Sequence, residues 1–200
     1  MSYKLYFKFG VMGCSKSAQA LMTKFNYEQQ GYNVLLMKSN LDTRDQKDGR
    51  IVVKSRIGLE AEAYTFSPKT NFIKVFKSKK ADNIGVIIVD ECQFCTENQI
   101  NQLKELTAYV PVLCYGLKTD FRTKLFEGSK RLVEIADSMT ELKAICACGR
   151  KATINARFSN GRLVTRGSVI EIGGDERYKA ICYDCYLKLK KEQKKNTVKK

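Results

Sequence analysis

Residues Asn83 to Asp90, NIGVIIVD, constrain the fold more than any other segment. The run is β-branched, shows no alternation with polar residues, and ends in an acid. A strand without a polar face must be covered on both sides, and such strands belong to mostly parallel sheets with helices packed on either face. Its terminal acid then stands at the carboxyl edge of the sheet, where open α/β sheets bind their ligands.

The segments around it alternate in kind. Tyr3 to Phe9 reads as a strand, Ala18 to Gln30 as a helix stopped by Gly31, and Asn33 to Met37 as a short strand. Asn40 to Arg56 is polar and reads as a loop, and Lys69 to Ser78 reads as a short basic helix. Glu97 to Leu106 has a helical pattern, and Tyr109 to Tyr115 is a further apolar strand. Strands alternating with helices predict an α/β fold: a P-loop-type, mostly parallel sheet flanked by helices. From Ala144 onward the texture changes to short β segments, frequent glycines and paired cysteines, so a boundary falls near Lys143. The expected organisation is an α/β nucleotide-binding domain over 1–143 and a small zinc-ribbon-like β lobe over 144–188. A basic tail over 189–200 is expected to be disordered.

Composition narrows the chemistry. Of the 200 residues 44% are apolar, enough for a core, and the longest apolar run, Ile84 to Val89, is too short to cross a bilayer. The opening MSYKLYFKFG has no apolar signal core, which predicts a cytoplasmic protein. Thirty-six basic against 21 acidic residues leave +15, of which the seven lysines of Tyr186 to Lys200, set against Glu192, carry +6. Such a surface attracts polyanions, although a solvated charge run is the ordinary reading of a tail. Histidine is absent, which excludes Ser-His and Cys-His nucleophile pairs and any zinc site built on imidazole. Eight cysteines in a cytosolic chain are not a disulfide framework.

Gly10 to Ser17, GVMGCSKS, follows a strand and opens a helix, nearly fitting the phosphate-binding loop. That chemistry uses backbone N–H groups curled around phosphate, a lysine on the outer phosphates and a hydroxyl on Mg²⁺. Gly10, Lys16 and Ser17 stand where it requires, and Gly13 supplies a second glycine. Ser15 occupies the place of the glycine before the lysine. Downstream, Asp90 suits a metal-ordering acid, and Glu91 follows it. Cys146-x-Cys148 and Cys182-x-x-Cys185 present four thiolates on two tight turns, a closed and therefore structural Zn²⁺ site. The first pair is one residue shorter than the usual C-x-x-C.

The combination resembles the type II, zinc-containing thymidine kinases from Tyr3 to about Lys188. The resemblance rests on the Gly10–Ser17 loop with Met12, Leu41-Asp-Thr-Arg44, Ser55-Arg-Ile-Gly58 and Val89-Asp-Glu-Cys-Gln-Phe94. It continues in Tyr115-Gly-Leu-Lys-Thr-Asp-Phe-Arg122 with Phe126-Glu-Gly-Ser129, in the cysteine pairs, and in Ile172-Gly-Gly-Asp-Glu-Arg-Tyr178. It implies ATP-dependent phosphorylation of thymidine or deoxyuridine at the 5′-hydroxyl. Ser15, Lys16, Ser17 and Asp90 would handle the ATP phosphates and Mg²⁺, and Glu91 would be the general base. Asp42, Arg44 and Arg122 would lie near the transferred phosphoryl group. Met12, Phe94, Leu117, Phe121 and Phe126 would wall the base pocket. A loop of about Asn155 to Tyr178, with Ile172 and Gly173, would close over the base by main-chain bonds and put Tyr178 on the sugar side. The family also implies a homo-tetramer, no membrane and no nucleic-acid partner. Two competing readings are a family member that binds nucleotide as a regulator without turnover and a basic zinc-ribbon protein that binds nucleic acid.

Overall fold

The computed structural model describes residues 2–42, 46–47, 50–79, 82–169, 171 and 177–198. Six parallel strands form the main sheet: β1 (Leu5–Phe9), β2 (Asn33–Ser39), β6 (Tyr64–Phe66), β7 (Ile84–Asp90), β8 (Val112–Gly116) and β9 (Ser138–Glu141). Their spatial order is β6-β2-β7-β8-β1-β9. The predicted mostly parallel α/β architecture is therefore the one observed, with the Asn83–Asp90 run at its centre.

Both faces of the sheet are covered, and the side-chain period of two sorts the strands between two cores. Leu35, Met37, Ile87, Val89, Val112 and Cys114 point into one core, with Ile100, Leu103 and Leu132 of α3 (Glu97–Leu106) and α4 (Glu127–Ile135). Leu36, Val86, Ile88, Leu113 and Tyr115 point to the other, with Ala20 and Leu21 of α1 (Lys16–Gln29). Helix α2 (Phe72–Ser78) starts at Asn71, whose side chain accepts the Lys74 N–H. Helix α3 starts at Thr96 in a reciprocal capping box with Gln99. These caps satisfy N–H groups that a helix start leaves orphaned.

Two expectations are corrected, for the polar stretch after β2 and for the basic tail. The polar stretch Asn40 to Arg56 contains strands β3 (Gln46–Lys47) and β4 (Arg50–Lys54), with β5 (Glu60–Glu62) pairing antiparallel to β4. The run Ile51-Val52-Val53 is too short to stand out among charged neighbours, yet Val53 is fully buried under α1. The C-terminal lobe has a core of its own, with Ala152, Ile154, Ala156, Leu163, Ile181 and Tyr186 packed against Val11 of the phosphate loop. It is built from β10 (Ile154–Ser159), β11 (Arg162–Val164), β12 (Tyr178–Ile181) and α5 (Tyr183–Val198). Finally, the tail expected to be disordered from residue 189 continues α5 to Val198. Lys, Leu, Glu and Gln are strong helix formers, and the Gln193 amide pins the helix by accepting from Leu163 N–H at 2.9 Å and donating to Leu163 C=O at 3.0 Å.

Candidate active site

The phosphate loop joins the end of β1 to α1. Gly13 takes a left-handed φ of +77°, and Ser15 does the same at φ 63° without capping the helix through its hydroxyl. A Cβ at Gly10 would run into Leu142 O and Cys14 Sγ, so glycine is required there for close approach. Lys16 is nearly buried, and its ammonium donates to the carbonyls of Val11 at 2.8 Å and Gly10 at 3.1 Å. Beside it the Ser17 hydroxyl donates to Asp90 Oδ2 at 2.9 Å, closing a sequence separation of 73 residues. The hydroxyl and carboxylate that the sequence suggested for one cation thus stand side by side.

Asp90 is buried at the carboxyl end of β7. Burial first, and then the negative charge of neighbouring Glu91, push its carboxyl up to about 7 against the pull of the Ser17 hydroxyl, the Glu91 N–H and Lys16. Glu91 has a left-handed φ of 54° at the start of a short 3₁₀ helix, Cys92–Phe94. Its Oε2 accepts from Gln93 Nε2 at 2.5 Å, while Gln93 Oε1 accepts the Leu117 N–H at 3.0 Å. One buried amide therefore aims the carboxylate.

These groups line one end of a cavity of about 720 Å³. Of the residues singled out in the sequence, Met12, Gly13, Ser15, Lys16, Ser17, Asp42, Asp90, Glu91, Phe94, Leu117, Phe121, Phe126, Asn155 and Tyr178 all line it. Phe94 and Phe126 meet edge-to-face at 6.0 Å. Asp42 is buried and ion-paired with Lys38 Nζ at 3.3 Å. Gly10 lies behind the loop, away from the cavity lining. Arg122 is likewise not among the lining residues, and its Nε and guanidinium NH₂ each reach Asp120 Oδ2 at 2.8 Å. Arg44, Ile172 and Gly173 lie outside the described residues.

The segment Asn155 to Tyr178 is partly built into the lobe. Asn155 sits on β10, and its Oδ1 accepts the Met12 N–H at 2.7 Å, tying the lobe to the phosphate loop. Only the connection from Thr165 to Arg177 lies between β11 and β12. Tyr178 opens β12 and donates its hydroxyl to Glu171 C=O at 2.8 Å.

Within the lobe, Cys146, Cys148, Cys182 and Cys185 place their sulfurs within 4.8 Å of one another. Zn–S bonds of about 2.3 Å in a tetrahedron separate sulfurs by about 3.8 Å, and Cys148 and Cys182 Sγ are 3.6 Å apart. The one-residue-shorter first pair therefore still fits, with Gly149 turning the chain at φ +84°. The backbone N–H and guanidinium of Arg150 draw the Cys148 thiol down to about 6, while hydrogen bonds with Cys182, Cys148 and Cys146 push Cys185 up to about 12, so the first proton leaves the four-thiol cluster at Cys148.

Reading the sequence missed four polar side chains at the site. Gln93 was visible only as part of a motif, and Lys38 follows the apolar run of β2 as an ordinary lysine would. Asp120 orders the turn after β8 through the N–H groups of Arg122 and Lys124. Arg157 lies over the Phe121 ring with 3.8 Å to its centroid. Arg157 and the Gln93–Leu117 bond acquire their partners through the fold, whereas Lys38 and Asp120 pair within four residues, in turns that no periodicity marks.

Comparison with known proteins agrees with this geometry. The thymidine kinase family model matches residues 3–186. The thymidine kinase of Photorhabdus laumondii is 40% identical over 197 residues, covering 96% of this chain and 96% of that protein. That of Zymomonas mobilis is 44% identical over 183 residues, covering 90% of this chain and 93% of its own. The Rhodopirellula baltica thymidine kinase is 42% identical over 183 residues, covering 90% and 85%. A match along nearly the whole length, at that identity and on both sides of the cavity, places the chain in the thymidine kinase family.

Proposed function

We propose that the protein transfers the γ-phosphoryl group of ATP to the 5′-hydroxyl of thymidine or deoxyuridine. The observation that supports this most is the meeting of Lys16, the Ser17–Asp90 pair and Glu91 around one cavity. Phosphoryl transfer needs positioning and charge neutralisation more than covalent chemistry. The loop N–H groups and Lys16 would hold the ATP phosphates. Ser17 and Asp90 would hold Mg²⁺, which would supply charge neutralisation for the transferred phosphoryl group. Glu91 accepts the proton of the 5′-hydroxyl as the new P–O bond forms and ADP departs. In a chain without histidine a carboxylate is the natural base.

The remaining assignments follow the cavity. Asp42, with Arg44 and Arg122, would serve the transferred phosphoryl group. Met12, Phe94, Leu117, Phe121, Phe126 and Asn155 would enclose the base, with Ile172 and Gly173 contributing main chain and Tyr178 on the sugar side. The units are an ATP-binding domain over 1–143 and a Zn²⁺-stapled, substrate-covering lobe over 144–188. As the family resemblance implies, we read the enzyme as a cytoplasmic homo-tetramer, and the exposed Met22 and Phe25 on α1 would suit a subunit contact. No helix among the described residues is long and apolar enough to cross a membrane.

A phosphorylation assay with thymidine, deoxyuridine and deoxycytidine, run on the wild type and on Glu91→Gln, tests the proposal. Thymidine and deoxyuridine turnover that collapses in the variant is expected. Absence of nucleoside turnover, with salt-dependent binding to oligonucleotides, would replace it with the nucleic-acid reading.

A further inference from the structure

Arg157 is the most anomalous charged residue in the fold. It stands on β10 with its side chain 4% exposed. Among the described side chains its Nε is the one buried nitrogen or oxygen atom without a hydrogen-bond partner. A buried guanidinium missing a partner is destabilising, and an apolar side chain of similar volume often matches or improves stability at such sites. The packing of the lobe therefore does not explain an arginine here, so its contacts must.

Those contacts face two ways. The guanidinium plane lies on the Phe121 ring with 3.8 Å from its carbon to the centroid, and Phe121 walls the cavity. The other edge of the guanidinium grips the loop leaving β11. One terminal nitrogen donates to Ser168 C=O at 2.8 Å and reaches Glu171 Oε2 at 3.3 Å, and the other points to Arg166 C=O at 3.5 Å. Gly167 makes room with φ +125°, and a Cβ there would come within 2.8 Å of the guanidinium. The gripped residues continue into the cavity, whose wall includes Val169 and Glu171.

We infer that Arg157 is a positioning residue that couples the loop after β11 to the Phe121 wall of the nucleoside pocket. Touching Phe121 on one side and loop carbonyls on the other, it holds the loop where it covers the base, and a base against Phe121 in turn holds the ring under Arg157. This inference rests on the nucleoside-kinase reading of the cavity. An interaction of this kind acts equally on bound substrate and transition state, so its loss appears in KM rather than in kcat.

The test uses the full-length protein as Arg157→Met, which keeps the apolar stem, and as Arg157→Lys, which keeps the charge but neither the planar stack nor the fork. Two quantities are read: the rate of tryptic cleavage after the exposed Arg166 without any nucleoside, and the steady-state constants. Both variants are expected to be nicked about tenfold faster and to raise the thymidine KM about tenfold, with kcat within about threefold and the ATP KM unchanged. Unchanged nicking in either folded variant overturns the grip. Faster nicking with an unchanged thymidine KM overturns the coupling, as does a loss confined to kcat. If Arg157→Met fails to fold, Arg157→Lys decides alone. A wild type that does not phosphorylate thymidine would sink the kinase reading instead, while the nicking comparison still judges the grip.

Discussion

At the scale of single residues, three side chains stand in costly states. Glu91 sits in the left-handed region with its carboxylate aimed by Gln93. Glu91→Gln is expected to bind thymidine nearly normally while turnover falls by roughly 10² to 10⁴, the usual worth of a positioned base. Wild-type turnover in that variant would remove Glu91 from the mechanism. Ser15 also stands at positive φ and makes no side-chain cap bond, so Ser15→Gly forfeits no hydrogen bond and relieves about 1–2 kcal/mol of backbone strain. We expect a higher melting temperature and a kcat/KM for ATP raised by up to about tenfold. A loss instead would mean that the Ser15 hydroxyl contacts phosphate. Asp90 carries the pH dependence. Its carboxyl moves from an ordinary 3.8 to about 7 in the fold. Between those values the folded chain keeps a proton that the unfolded chain has released, so Asp90 disfavours folding increasingly as pH rises through the window. Urea titrations at pH 5 and pH 8 should therefore show Asp90→Asn gaining stability relative to wild type as pH rises. A gap that is constant with pH would refute the buried carboxyl as its cause.

At the scale of elements, the edge strand β11 is completed by a helix rather than by a neighbouring strand. Gln193 on α5 serves both the N–H and the C=O of Leu163, and Leu163 is buried. Gln193→Ala leaves those backbone groups unpaired, at about 1–3 kcal/mol. Amide exchange at Leu163 should accelerate accordingly, and retained protection would show that α5 is not what secures the strand. The same element explains why the lysine run is not a free tail. The first turns of α5 are anchored through Tyr186 in the lobe core, and a helix once nucleated propagates readily through Lys, Glu and Gln.

At the scale of the whole molecule, the thiolate lobe forms part of the backing of the phosphate loop. Val11 packs into the lobe core, and Met12 N–H is held by Asn155 of β10. Metal analysis should find about one Zn²⁺ per chain, as a four-thiolate site requires. Its removal by chelator should lower the melting temperature and raise the KM for ATP as well as for thymidine. A metal-free protein that is folded and fully active would refute both the site and this coupling.

The sequence alone determined the parallel sheet, because a β-branched apolar run of strand length, set among alternating helical and strand patterns, must be covered on both faces. It also determined the phosphate loop and the four thiols, whose residues are close enough along the chain to form recognisable spacings. It did not reveal β4, where three apolar residues lie among charges, nor the helical end of α5, whose lysines read as tail until Gln193 meets β11. Tertiary structure alone decided other pairings across long separations: Met12 with Asn155, Gln93 with Leu117 and Arg157 with Phe121. Local spacing records what one element does by itself. A polar side chain that aims another group acquires its meaning only when folding delivers its partner, and no periodicity along the chain encodes that meeting.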